Sequence, residues 1–368
     1  GGVPLYTLQF LDLLIANSVV YPEHGLWVNR ALQESDLPES VRAAIRSRIE
    51  GLQEEARDLL SVAAVQGDRF DGGTIAKAVS QPLSRTLRDL AELARRTRLV
   101  RVEDQGFRFS HPVLREMFYQ LLPERRRRHL HLRLGHIAEQ ERPGDVEALS
   151  HHLYEAGNHQ NALPHLLIAA ERAQRANAFR EARLLLNRAR TACEALNGGA
   201  PRGQVLDVLL RLAEVEERLG DPTDSLILCE EVLRRADTDA DRAAVADAYM
   251  QMGWIHTRQA SWPEAERYLH LASEIHSELG NDQRAAMADV RLGNVAFERG
   301  ELGEAAIRFR EARAAATRSN SPMYVVDGVI LSSTLGTTTG DLESMDIESV
   351  EVVKGAAAAS LYGSRAAA

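Results

Sequence analysis

The chain has 368 residues, 45% hydrophobic and 26% charged, which excludes wholesale disorder and suits two or three domains or one long repeat array. Its 44 basic and 53 acidic residues leave a net charge of -9, which argues against a nucleic-acid binder, because such a domain normally carries a basic surplus. Aromatic residues make up only 5%, so Ala and Leu helix packing is expected rather than a large aromatic core. In chain order, "PLYTLQFLDLLIANSVV" has apolar residues at helical spacing and predicts one helix, and "HGLWVN" predicts a short strand. "LPESVRAAIRSRIEGL" opens on Pro38 and Glu39, which signal a helix start, and places Val41, Ile45 and Ile49 four residues apart.

Three helices follow, in "QEEARDLLSVAAVQGDRF", "GGTIAKAV" and "PLSRTLRDLAELARRTRLV". Two alternating runs then flank Asp104-Gln105-Gly106 in "LVRVEDQGFRFS", a hairpin signal. Three helices and a hairpin predict a winged-helix domain over residues 50–110. Helices return in "HPVLREMFYQLLPERRRRHLHLRLGHIAEQ", read as linking helices over 111–144.

From about residue 145 the sequence repeats. Ala213, Gly253 and Gly293 follow at intervals of 40 residues, each in a similar frame. A small residue there lets two helices approach closely. A second helix then begins with another small residue, Ser225, Ala265 or Ala305. The pattern resembles the tetratricopeptide repeat with a lengthened period. "LSHHLYEAGNHQNALPHLLIAA" and "AERAQRANAFREARLLLNRARTA" read as two earlier, more degenerate units. The expected fold is mainly α: a helical lid region over 1–49, the winged helix, an α-solenoid of helix pairs over 145–319, and a short α/β segment over 320–368. Such an array buries its core between neighbouring repeats.

"FRFSHPVLREMFYQLLPERRRRHLHLRLGHIAE", followed by "SHHLYEAGNHQNALPHLLIAAERA", resembles the bacterial signal-transduction ATPases with numerous domains. That group includes AAA-type and LuxR-like regulators of the maltose-regulator type and cyclase- or kinase-linked ATPases. Their order is nucleotide-binding domain, helical lid, winged helix, helical repeats. The resemblance implies a nucleotide-binding core upstream of Gly1, with "GGVPLYTLQFLDLL" similar to the segment just beyond it. One departure matters. A phosphate loop needs Gly-Lys-Ser/Thr, whereas Lys77 follows Ala76 and Lys354 follows Val353. The expectation is therefore no enzyme and no cofactor in this chain, with ATP or ADP acting only through another domain. Function is expected to lie in binding a protein partner or small inducer on the repeat surface, in the cytoplasm.

The tail is written in strand formers. "PMYVVDGVI" and then "MDIESVEVVKGAAAASLYGSRAA" resemble the plug domain of TonB-dependent outer-membrane receptors. Asp327, Gly328, Lys354, Gly355, Tyr362, Gly363, Ser364 and Arg365 fall on that pattern. The two resemblances meet at a junction near Ser319 to Ser321, as in a chimeric product or a fusion. If the tail is a true plug, the alternative is an outer-membrane nutrient-uptake protein.

The candidate residues follow from these readings. His111, after the hairpin, is implied by the resemblance as a diphosphate sensor; on its own residues it reads as a capping or packing histidine. Arg125 to Arg128, with His129 and His131, cover all faces of a helix and read as a solvated turn. Arg85, Arg88, Arg95 and Arg96 could meet DNA, but Asp89 and Glu92 interrupt them, so DNA binding is not expected. His151, His152, His159 and His165 lack acidic or Cys partners at ligand spacing, so no metal site is expected. Cys193 and Cys229 read as small buried apolar residues. Trp254, Arg258, Asn294 and Glu298 are the residues expected to meet a partner, Trp and Arg being common interface anchors. No run approaches the ~18 apolar residues of a membrane span.

Overall fold

The protein is described from a computed structural model, over residues 20–23, 26–29, 39–196, 198–237, 240–318, 324–326 and 329–331. The chain is mainly α and divides into two compact units, residues 1–199 and 200–368.

In the first unit β1 (Val20–Glu23) pairs antiparallel with β2 (Leu26–Asn29), Val20 opposite Asn29. The expected short strand is there. The expected first helix lies outside the described residues except for Val20, which opens a strand instead. Next come α1 (Glu39–Glu50), α2 (Glu54–Gln66), β3 (Arg69–Phe70), α3 (Gly72–Val79) and α4 (Leu83–Thr97). The hairpin of β4 (Val100–Glu103) and β5 (Gly106–Phe109) follows, with Glu103 opposite Gly106. β3 adds to β5, giving the sheet order β3-β5-β4.

Helix α2 is the axis of this core: every residue from Leu59 to Val65 is buried, the pattern of a helix surrounded on all sides. Around it pack Phe70, Phe107 and Phe109 from the sheet and Phe118 from α5 (Pro112–Gln120). Their ring centroids stand 5.4–6.0 Å apart along the chain of contacts Phe107–Phe70–Phe109–Phe118. The core is otherwise built mostly of Leu, Val, Ala and Ile, so no large aromatic core forms, yet its few aromatics cluster. Aromatics are few in number, but four of the eight phenylalanines gather in one place. The helices expected to be links also belong to this core, through Val113 and Met117 of α5 and Leu130 and Leu134 of α6 (Glu124–Glu141).

Asp71 starts α3 by accepting the Thr74 amide at 2.7 Å. Burial works to raise its carboxyl, but the hydrogen bonds from Thr74 and Gly73 outweigh this and hold it below the ordinary value. Asp71→Ala should cost about 1 kcal/mol at neutral pH, the usual worth of an N-cap. The sign follows from the lowered folded value: the charge-dependent part is present above the unfolded carboxylate range and lost as pH falls through the folded one. Urea unfolding at pH 7 and pH 3 checks this: the difference between variant and parent should shrink in acid.

Helices α7 (Val146–Glu155), α8 (His159–Arg175) and α9 (Phe179–Ala195) complete the first unit. Cys193 in α9 is buried.

The second unit holds three helix pairs: α10 (Arg202–Leu219) with α11 (Pro222–Arg235), α12 (Arg242–Arg258) with α13 (Trp262–Glu278), and α14 (Asp282–Glu298) with α15 (Leu302–Arg318). The first helices also touch, α10 against α12 and α12 against α14. Close approach is visible at the small residues the spacing singled out. Ser225 Oγ donates to Ala213 O at 2.6 Å, and Gly253 lies against Leu269 and the Ala265 carbonyl. Cys229 is fully buried in α11, where burial pushes its thiol up to about 12, consistent with an apolar packing role.

Gly220 and Gly300 end α10 and the loop after α14 in the left-handed region, at φ 91 and 81. The equivalent position between them, 40 residues from each, is Ala260, held at φ 57. A Cβ in that conformation costs roughly 1–2 kcal/mol, part of which glycine gives back in chain entropy. Ala260→Gly should therefore stabilise the protein by about 0.5–1 kcal/mol, read as a higher midpoint in thermal unfolding.

Finally, β6 (Tyr324–Val326) and β7 (Val329–Leu331) pair antiparallel, Val326 opposite Val329, on either side of Asp327 and Gly328. Asp327, Gly328, Lys354, Gly355, Tyr362, Gly363, Ser364 and Arg365 lie outside the described residues.

Candidate functional site

In the second unit, three equivalent positions recur on the first helices at intervals of 40 residues. They are Arg211, Gln251 and Arg291; Glu214, Trp254 and Asn294; Arg218, Arg258 and Glu298. The four residues expected to meet a partner all fall on these rows. Trp254 and Asn294 are half-buried; Arg258 and Glu298 are exposed.

The rows are joined from helix to helix. Arg258 of α12 forms an ion pair with Glu217 of α10, whose side chain is nearly inaccessible at 5% exposure and also has Arg218 at 3.9 Å. Arg291 of α14 reaches across to α12: its Nη1 donates to Met250 O at 2.7 Å, and its guanidinium lies 5.4 Å from the Trp254 ring centre. Burial pushes the Arg291 guanidinium down to about 10, opposed by the nearby Glu214 and Glu217 carboxylates. Gln251 Nε2 is shut from solvent without a hydrogen-bond partner. Sequence reasoning missed Glu217, Gln251 and Arg291. The 40-residue period sets Gln251 and Arg291 in register with Arg211, a signal that could have found them, but it does not record their burial. The guanidinium groups open to solvent on these rows are those of Arg218 and Arg258, whose chemistry suits a carboxylate, beside the half-buried indole of Trp254.

In the first unit, His111 is exposed and caps α5, its Nδ1 accepting the Val113 amide at 3.2 Å. The arginine run opens α6 and diverges: Arg126 pairs with Asp58 at 2.9 Å, Arg127 lies 4.9 Å from the Tyr119 ring centre, and Arg128 pairs with Glu124. On α4, Arg85 and Arg96 are taken up by Asp89 and Glu92, at 3.7 and 2.9 Å. Arg95 lines a groove with Arg98, Arg101, Ala91, Ala94 and Val100.

The histidines regroup. His151 and His152 of α7 do not meet His159 or His165; they gather with His131 of α6, which the sequence placed in the basic run. His131 Nδ1 is 3.0 Å from His152 Nδ1, and its Nε2 is 3.0 Å from the Tyr119 hydroxyl. Gly135, one turn beyond His131, is what brings α7 this near: a Cβ there would stand 3.3 Å from Leu153 Cδ2 and 3.6 Å from His152 Cβ. Burial first, and then the neighbouring imidazoles, push His131 down to about 3; burial and His151 do the same to His152, also to about 3. The grouping was hidden because its members sit twenty residues apart on two helices, and no linear spacing joins them.

Comparison with known proteins places the repeats first. Residues 204–275 match the tetratricopeptide repeat family, and residues 277–368 match the TonB-dependent Receptor Plug Domain. The second match begins inside the helical region, taking in α14 and α15 as well as the tail. Among curated proteins no relative matches the chain significantly. Three solved structures are similar in part. A Signal Transduction ATPase with Numerous Domains protein with a tetratricopeptide repeat sensor, from Pyrococcus horikoshii, is 14% identical, over 85% of this chain and 50% of that one, at a TM-score of 0.36. BtubC from P. vanneervenii is 18% identical, over 56% and 77%, at 0.37. The apo quorum sensor NprR from B. thuringiensis is 15% identical, over 76% and 78%, at 0.34. The chain thus spans half the length of the first of these. No described helix is long and apolar enough to cross a membrane.

Proposed function

We propose that this chain is the non-catalytic regulatory arm of a multidomain bacterial signalling ATPase or transcriptional regulator, and that it binds a protein partner or small inducer on the repeat rows of its second unit. The observation that carries this reading is the pair of cross-helix contacts beside Trp254: Arg258–Glu217, inside the residues 204–275 that match the tetratricopeptide repeat, and Arg291–Met250, which ties the next helix pair onto them. A ligand that binds one arrangement of such a surface better shifts the population of states, and a joined domain reads that shift. The three helices and three-stranded sheet of residues 54–109 support a winged helix in the first unit. In this reading ATP or ADP enters only through a core on another segment, where His111 would sense the diphosphate.

Two experiments test it. The reading frame upstream of Gly1 should encode Gly-Lys-Ser/Thr after a strand; a frame without it sinks the ATPase assignment. The isolated chain should not bind labelled ATP, and a tight complex with this polypeptide alone would do the same damage.

The match over 277–368 favours a second reading, a plug-bearing component of outer-membrane uptake. Cell fractionation separates the two, since recovery in the outer membrane would support only this one.

A further inference from the structure

We propose that His131, His151 and His152 form a binding site for one divalent transition-metal ion, of the zinc class, in the first unit. One imidazole nitrogen from each lies within 4.8 Å of the other two. The pair His131 Nδ1 and His152 Nδ1, at 3.0 Å, already stands near the roughly 3.4 Å separating two nitrogens bound at about 2.0–2.1 Å to a tetrahedral ion. His151 completes the set from the same helix as His152, within the same 4.8 Å, and is half-buried where the other two are buried.

The hydrogen bond behind the cluster is what a ligating histidine requires. Metal-bound imidazoles donate their other N–H to an outer partner, which fixes the tautomer. Tyr119 Oη stands 3.0 Å from His131 Nε2, placed to accept that proton. This leaves the Nδ1 lone pair aimed at His152. Three nitrogens and no thiolate suit zinc, copper or nickel better than magnesium or calcium, and leave a fourth position for water.

The surrounding charge sets the strength. Arg115 and Arg127 lie over the Tyr119 ring, and Arg142 and Arg188 act on His152 and His151. Glu155 opposes them at His151, itself paired with Arg188 at 3.4 Å. A dication among these arginines binds more weakly than at a thiolate site.

The test uses the whole chain, stripped with chelator and titrated with cobalt(II) and then zinc(II). One equivalent of cobalt should give the intense visible bands of a tetrahedral site, and zinc should displace it. His151→Ala and His152→Gln should each abolish those bands. Tyr119→Phe should keep the stoichiometry and weaken zinc binding by about 10–100-fold, the usual effect of losing an outer partner. His159→Ala and His165→Ala should change nothing. If cobalt gives only the pale spectrum of an octahedral ion, or binds as well in His151→Ala, the cluster is a hydrogen-bonded histidine pair only. Because the wild-type spectrum decides between these geometries, the outcome stands even if a variant fails to fold.

Discussion

Gly253→Val should lower stability by about 2–3 kcal/mol, the cost of overpacking a close helix contact. A Cβ at Gly253 would stand 2.6 Å from Leu269 Cγ, 2.8 Å from its Cδ2 and 3.2 Å from the Ala265 carbonyl. Leu269 is wholly buried, and the carbonyl belongs to the facing helix, so α12 and α13 would have to separate. Gly293, the equivalent position in the next repeat, makes the internal control. There the three atoms nearest the Cβ all belong to the Phe309 ring, at 2.7–3.1 Å. Phe309 is half-buried and can swing aside, while Ala gains about 1 kcal/mol of helix propensity over Gly. Gly293→Ala should therefore lie within ~0.5 kcal/mol of the parent, as a surface-like change does. Urea unfolding of the three proteins checks both. Equal losses at the two glycines would mean that the repeats yield alike and that α12 and α13 are not held by this contact.

Arg291→Met should cost about 2 kcal/mol, because it removes a hydrogen bond from a charged donor to the Met250 carbonyl, which keeps only its bond within the helix. Methionine keeps much of the side-chain volume over Trp254, so the loss reports the guanidinium rather than a cavity. Met250 O loses its 2.7 Å partner, and Glu217 loses one of the charges that balance it. Arg258 still holds Glu217, which is why the cost falls short of the 3–5 kcal/mol of a buried pair broken outright. In a Glu217→Gln background the same change should cost about 1 kcal/mol less, a coupling measured by a double-mutant cycle. Identical costs in both backgrounds would show that Arg291 acts through Met250 and Trp254 alone. The result also bears on binding, since these side chains form the surface proposed to meet a partner.

Much of this molecule can be read along the line of the chain. The hairpin at Asp104-Gln105-Gly106, the helices and the 40-residue period came from local signals: turn chemistry, apolar spacing, and small residues where helices meet. The period also marked Trp254 and Asn294 as equivalent positions, because each repeat must bury the same face against its neighbour. Where Val20 would sit was not readable in the same way. An apolar run suits a helix or a strand, and the pairing of Val20 with Asn29 settled it.

What the sequence determined by itself is the kind of elements and their repetition, since both depend on residues a few positions apart. Only the tertiary structure decided which distant side chains share a space. It gathered four scarce phenylalanines around α2, set Arg291 over Trp254, and brought His131 against His152 across the gap that Gly135 leaves open. Those meetings depend on how helix faces dock, and docking is settled by shape and volume summed over many residues, which no spacing along the chain records.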